Sequence, residues 1–223
     1  MAPAPRIFIA ALLALSCAAA VSQSAPVIQP GAPGQPSHPL TGTAAIPTLP
    51  QTSEADVAFM QGMIMHHNQA VLMTALIPTH HASADVQSIG QKISLSQTQE
   101  MAFMRQWLLN RHQATEMPMP KAMPGMPDMD MSGSPMPTMP GMLTPTQMEA
   151  LTKSTGPQFD HLFLTGMIQH HTGALTMVDQ LFKSPGAGQD ADLFDFATDV
   201  DNTQRAEIRI MQAMITKETK EKE

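Results

Sequence analysis

Phe59-Met60-Gln61-Gly62-Met63-Ile64-Met65-His66-His67-Asn68-Gln69-Ala70-Val71-Leu72-Met73 puts more sulfur and imidazole into fifteen residues than an ordinary core helix uses. The stretch returns 104 positions later as Phe163-Leu164-Thr165-Gly166-Met167-Ile168-Gln169-His170-His171-Thr172-Gly173-Ala174-Leu175-Thr176-Met177. Between residues 56–74 and 160–178 nine positions are identical: Asp56/Asp160, Phe59/Phe163, Gly62/Gly166, Met63/Met167, Ile64/Ile168, His66/His170, His67/His171, Ala70/Ala174 and Met73/Met177. The sequence that follows each copy repeats more loosely at an offset of 107, pairing Gln97 with Gln204, Glu100 with Glu207 and Met104 with Met211. The repeated unit is a helical hairpin. Two copies predict one bundle with approximate two-fold symmetry, each covering the other's apolar face.

At 100° per residue, Phe59, Met63, His66, His67, Ala70 and Met73 share an arc of about 120°. Thioether and imidazole donors spaced by one or two turns can converge on one soft cation. The candidate ligands are Met63, His66, His67 and Met73, and in the second copy Met167, His170, His171 and Met177. Met104 and Met211 are weaker candidates. Neighbouring residues on a helix diverge by about 100°, so one imidazole of each pair can turn to Gln97 or Glu100, or to Gln204 or Glu207. Such an outer contact fixes the tautomer and orientation of a ligating histidine. The competing reading is packing, because Met is an adaptable core filler. The Gln and Glu residues would then be solvated at the edge of the stripe. Repetition favours metal binding, since a core would accept Leu or Ile and has no need of adjacent His twice.

Helix boundaries follow from local chemistry. Ser53-Glu54-Ala55-Asp56 reads as a capping box opening a helix that Pro78 ends. A second helix runs from near Ser83 to about His112, with Val86, Ile89, Ile93, Met101, Met104 and Leu108 at the helical period. Thr144-Pro145 starts a short helix. Pro157 opens the next, reaching about Lys183, and a turn at 184–188 leads to a last helix from roughly Asp190 to Lys217. Its stripe is Leu193, Phe196, Val200, Ile208, Met211 and Ile215. No segment alternates as a strand does, so the expected fold is an all-α four-helix bundle. The expected organisation is an export signal over 1–20, a disordered linker over 21–51, hairpins over 52–116 and 144–218, a flexible Met/Pro-rich segment over 117–143, and a charged tail over 219–223.

The whole chain has 223 residues, 12 Lys+Arg against 19 Asp+Glu, and a formal charge of −7. It has no basic footprint for nucleic acid. A single Cys excludes a disulfide framework and a Cys-rich zinc site. Residues 1–20 combine Arg6, an apolar run over 7–15 and Ala18-Ala19-Ala20, the pattern of a cleaved export signal. The run is too short for a permanent membrane span. Cys17 offers the alternative of a lipid anchor. Either outcome puts the chain in the periplasm, the cell envelope or outside the cell.

Residues 117–142 hold nine Met and seven Pro: Met117, Met119, Met123, Met126, Met129, Met131, Met136, Met139 and Met142 are all candidate thioether donors. Proline prevents regular structure here, and a segment this long without a core implies a use. Unbranched Met on an extended backbone can gather three sulfurs around Cu(I) or Ag(I), and does so without releasing protons in acid. A low-complexity linker and an oxidant scavenger are the alternatives. His80, His81 and His112 are weaker candidates; His80-His81 and His161 have no counterpart in the repeat and stay outside the core site.

These motifs resemble family 305 of the domains of unknown function, which includes CopM-like copper-binding proteins of bacterial envelopes. The likeness rests on residues 59–71 and 163–174, on Gln97-Thr98-Gln99-Glu100-Met101 and on Trp107-Leu108. It covers about 53–113 and 158–214. The resemblance implies a ferritin-like four-helix bundle and a role in copper handling, with copper ions, Cu(I) above all, as the bound species and Cu(II) and Ag(I) as further ones. The helices lack the Glu-x-x-His pairs of di-iron enzymes, so ferroxidase chemistry is not carried over. The expectation is an exported protein that sequesters or transfers Cu(I), with no catalytic residue assigned. Another envelope copper-handling protein is a candidate partner. A copper-dependent oxidase and a metal-independent envelope interaction protein remain as alternatives.

Overall fold

The structure, a computed structural model, describes residues 27–29, 38–40, 52–117 and 139–220, with side chains for 52–117 and 139–217. The chain divides into two units, 1–48 and 49–223. In the first, β1 (Val27–Gln29) and β2 (His38–Leu40) pair antiparallel, Val27 opposite Leu40. Both strands lie in the stretch expected to be a disordered linker. Three residues are too few to show alternation in the sequence.

The second unit is all-α. Its helices are α1 (Glu54–Leu76), α2 (Ala84–Asn110), α3 (Pro145–Lys153), α4 (Gly156–Lys183) and α5 (Ala191–Lys220). Ser53 caps α1 in a reciprocal box with Asp56, as expected. Pro78 does not end α1 abruptly, because the chain tightens into a 3-10 turn over Ile77–Thr79. Proline is tolerated in the first turn of such a helix, where its missing N–H has no partner to lose. Ser83 caps α2 through the N–H of Val86 at 3.3 Å, and Thr144 caps α3 through a second capping box.

α1 packs along α2 and α4 along α5, while α1 and α4 meet between the hairpins. The repeat therefore appears as two hairpins of one bundle. Reciprocal contacts express its two-fold character. Asp56 in the first copy accepts from the N–H of Gly188 in the turn of the second hairpin, at 2.8 Å. Its repeat mate Asp160 accepts from the N–H of Ser83 in the turn of the first, at 3.1 Å.

Two apolar clusters fill the bundle, one at each end. Phe59, Met63, Met104, Trp107, Met177, Leu193 and Val200 belong to one. Met73, Val86, Ile93, Phe159, Phe163, Met167 and Met211 belong to the other. Burying a side chain of this kind is worth about 1.5–3 kcal/mol. Along each long helix the residues between the clusters are polar and buried: His66 and His67 on α1, Gln97 on α2, His170 and His171 on α4, Gln204 and Glu207 on α5. The middle of the bundle is thus a polar layer between two greasy ends. Among the described residues no helix is long and apolar enough to cross a membrane.

Candidate metal centre

All four imidazoles of the repeat are fully buried in that polar layer. His66 and His170 face each other across α1 and α4, with ring centroids 3.8 Å apart. Within each pair the rings stand farther apart, 6.5 Å for His66–His67 and 6.1 Å for His170–His171.

Hydrogen bonds settle the tautomers. His67 Nε2–H donates to Glu100 Oε2 at 2.6 Å, and His171 Nε2–H donates to Glu207 Oε2 at 2.6 Å. His170 Nε2–H donates to the backbone carbonyl of His66 at 2.8 Å. His66 Nε2–H donates to the carbonyl of Pro140 at 2.9 Å. Carbonyls and carboxylates only accept, so each Nε2 carries a proton, and in the neutral imidazole the Nδ1 keeps its lone pair. None of the four Nδ1 atoms has a partner. Burial pushes the His66 pKa down to about 3, with His67 nearby adding to the effect. Burial also holds His170 well below its ordinary value of 6.5, and His66 lowers it further. Both rings are therefore neutral at any physiological pH, which is the form that binds metal.

The side chains of Gln97 and Gln204 are also buried with neither amide atom bonded. Among the described residues the unpartnered buried side-chain atoms thus fall on three repeat pairs: His66/His170, His67/His171 and Gln97/Gln204. A buried group of this kind left without a partner costs about 1 kcal/mol or more. A centre built only for packing would not carry that load twice over. Among the described residues no group of three or more His, Cys, Asp or Glu side chains is arranged to hold one ion. A cation held here would need thioether sulfur beside imidazole, and Met63, Met73, Met104, Met167, Met177 and Met211 are all buried in the clusters that bound the layer.

The sequence expectations divide. Glu100 and Glu207 do reach the imidazoles, Glu207 from a buried position and Glu100 from a half-buried one. Gln97 and Gln204 are buried with them but bond neither pair. Met117 lies exposed at the end of the first hairpin, while Met119, Met123, Met126, Met129, Met131 and Met136 fall outside the described residues. Met139 and Met142 belong to a short strap over 139–143 that packs across α1 and α4, although the sequence suggested a flexible end. Gln69 Nε2 donates to the Leu143 carbonyl at 3.0 Å and Gln69 Oε1 accepts from the Leu143 N–H at 2.7 Å. Gly141 (φ +75°) and Gly173 let the backbones touch, since a Cβ on Gly173 would sit 1.9 Å from the Pro140 carbonyl oxygen. Sequence reasoning missed Gln69, Gly173 and Pro140. The mismatch of Gln69 with Gly173 in an otherwise matched stripe was the available signal.

The family model described as "Domain of unknown function (DUF305)" matches residues 56–215. The DUF305 fragment from Deinococcus radiodurans is 27% identical over 75% of this chain and 99% of that one, with a TM-score of 0.59. A DUF305 protein from Streptomyces coelicolor, described as secreted, is 24% identical over 73% of this chain and 93% of its own, with a TM-score of 0.61. CopM in its Cu(I)-bound form is 19% identical over 75% of this chain and 98% of its own, with a TM-score of 0.55. The last two likenesses are likenesses of fold. No curated protein matches the chain.

Proposed function

Because this chain belongs to the DUF305 family, we propose that it is an exported copper-binding protein that sequesters or transfers Cu(I). The observation that carries this reading is the set of four buried Nδ1 atoms without a partner, each opposite an Nε2–H already committed to an oxygen. That is how a protein presents histidine to a metal: the outer nitrogen is fixed and the inner one is left open. Thioethers from Met63, Met73, Met167 and Met177 complete a donor set that suits Cu(I) and Ag(I) and is too soft for Mg²⁺ or Ca²⁺. The same imidazoles would accommodate Cu(II). CopM, which shares the fold, is known with Cu(I) bound, and this supports copper as the cargo.

In this reading the Met/Pro-rich segment captures ions loosely and the bundle holds them more firmly. Residues 1–20 direct export, in keeping with the fold relative described as secreted. The role is binding and contributes to copper tolerance, and no residue is assigned to catalysis. Competition for Cu(I) against a chelator tests the proposal. Replacing His66, His67, His170 and His171 together with Met63, Met73, Met167 and Met177 is expected to abolish tight binding. Unchanged affinity in that variant would overturn the bundle site.

A further inference from the structure

The repeat relates the two ends of the bundle, yet their sulfur content differs. Three Met pairs match across the symmetry: Met63 with Met167, Met177 with Met73, and Met104 with Met211. Among the buried residues at which the copies disagree, sulfur falls on the same side, while the half-buried Met148 and Met214 pack against the other cluster. Met60 and Met101 lie in the cluster with Met63 and Met177. Their repeat counterparts are Leu164 and Ile208.

The strap extends this imbalance. Met139 packs against the Met63 cluster. Its Sδ lies 3.3 Å from the point where a Cβ on Gly62 would be, and the Met177 Cε lies 3.4 Å from that same point. At the matching Gly166 the corresponding point is met by Leu143 Cδ2 at 3.0 Å and Met73 Cε at 3.3 Å. The strap therefore sets a thioether beside Met177 at one end and a hydrocarbon beside Met73 at the other. The imidazoles, in contrast, are matched in sequence.

Resting on the metal-binding reading above, we propose that a soft cation fills the Met63–Met177 end of the centre before the Met73–Met167 end, with Met139 as the additional donor that decides the order. Soft cations favour sites with more thioether sulfur.

The full-length chain, labelled with ¹³C at the Met methyls and titrated with Ag(I), tests this by NMR. The methyls of Met63, Met139 and Met177 are expected to reach half-shift at free Ag(I) about threefold or more below those of Met73 and Met167. Met139→Leu installs the kind of side chain the matching end already carries and is expected to bring the two half-points together. Leu143→Met is expected to move the second end towards the first, and helical circular dichroism verifies that both variants fold. Simultaneous shifts in the unaltered chain, or Met73 and Met167 shifting first, would overturn the order of filling while leaving metal binding intact. Absence of any shift at either end would overturn both.

Discussion

His170 donates its Nε2 proton to the backbone carbonyl of His66, 2.8 Å away, so one repeat's imidazole is held by the other repeat's main chain. Perfect two-fold symmetry would have His66 return the contact to the carbonyl of His170. It bonds Pro140 instead, at 2.9 Å. The strap thus intercepts one of two equivalent bonds, and the centre is a symmetric design with one edited corner.

The depressed pKa values of His66 and His170 make the metal-free fold sensitive to acid. The unfolded chain takes up protons on these rings as pH falls through 6.5, while the folded chain does not; for His66 this holds until about 3. Stability therefore falls with decreasing pH below 6.5, by roughly 1.4 kcal/mol per pH unit for each ring. Urea midpoints between pH 6.5 and 5, above the range where most carboxylates titrate, are expected to drop. A flat profile there would contradict the buried, neutral assignment.

Glu100 and Glu207 are expected to act on metal affinity without being ligands. Glu100→Gln or Glu207→Gln removes the charge that fixes Nε2–H and raises the basicity of Nδ1. Cu(I) affinity is expected to weaken about tenfold in either variant, the usual scale for such outer contacts. Chelator competition at neutral pH measures it, and equal affinities in both variants and the parent would refute the role.

Gly173→Ala is expected to destabilise the fold by about 2 kcal/mol or more, because its Cβ would collide with the backbone of Pro140. Gly90→Ala meets Ile77 Cδ1 at 2.1 Å, a nominally similar clash. That atom is the end of a side chain that can rotate away, so the cost is expected to be smaller. Denaturant midpoints of the two variants should rank in that order.

Asp190 unites three supports at one end of the bundle. It accepts from Trp107 Nε1–H at 3.0 Å and from the N–H of Leu193 at 3.0 Å, and it pairs with Arg111, whose guanidinium lies 4.1 Å from the centroid of the Trp107 ring. Asp190→Ala leaves buried donors without partners and is expected to cost about 2 kcal/mol or more. Indole fluorescence during urea unfolding reports it directly.

The helices and the inward stripe were legible in the sequence because both depend on short-range signals. Ser53, Ser83 and Thr144 announce helix starts by capping chemistry, and the repeat of Met63, His66, His67 and Met73 marks one face. The contacts of Glu100 and Glu207 were legible as one of two alternatives, since their repeat offset matched that of Gln97 and Gln204. The strap was not. Its place depends on Gln69 and Gly173 meeting Pro140 and Leu143 from distant parts of the chain, and Pro-rich composition argued against any packing there. A pairing of three-residue strands such as β1 with β2 is similarly invisible to periodicity.

X-ray absorption on the Cu(I)-loaded chain in which Met117, Met119, Met123, Met126, Met129, Met131 and Met136 are all replaced by Ser tests the central claim most directly. With the loose donors removed and the bundle intact, copper is expected to remain bound and to show both nitrogen and sulfur scattering. Loss of bound copper, or a spectrum without nitrogen, would contradict a centre built from buried imidazole and thioether together.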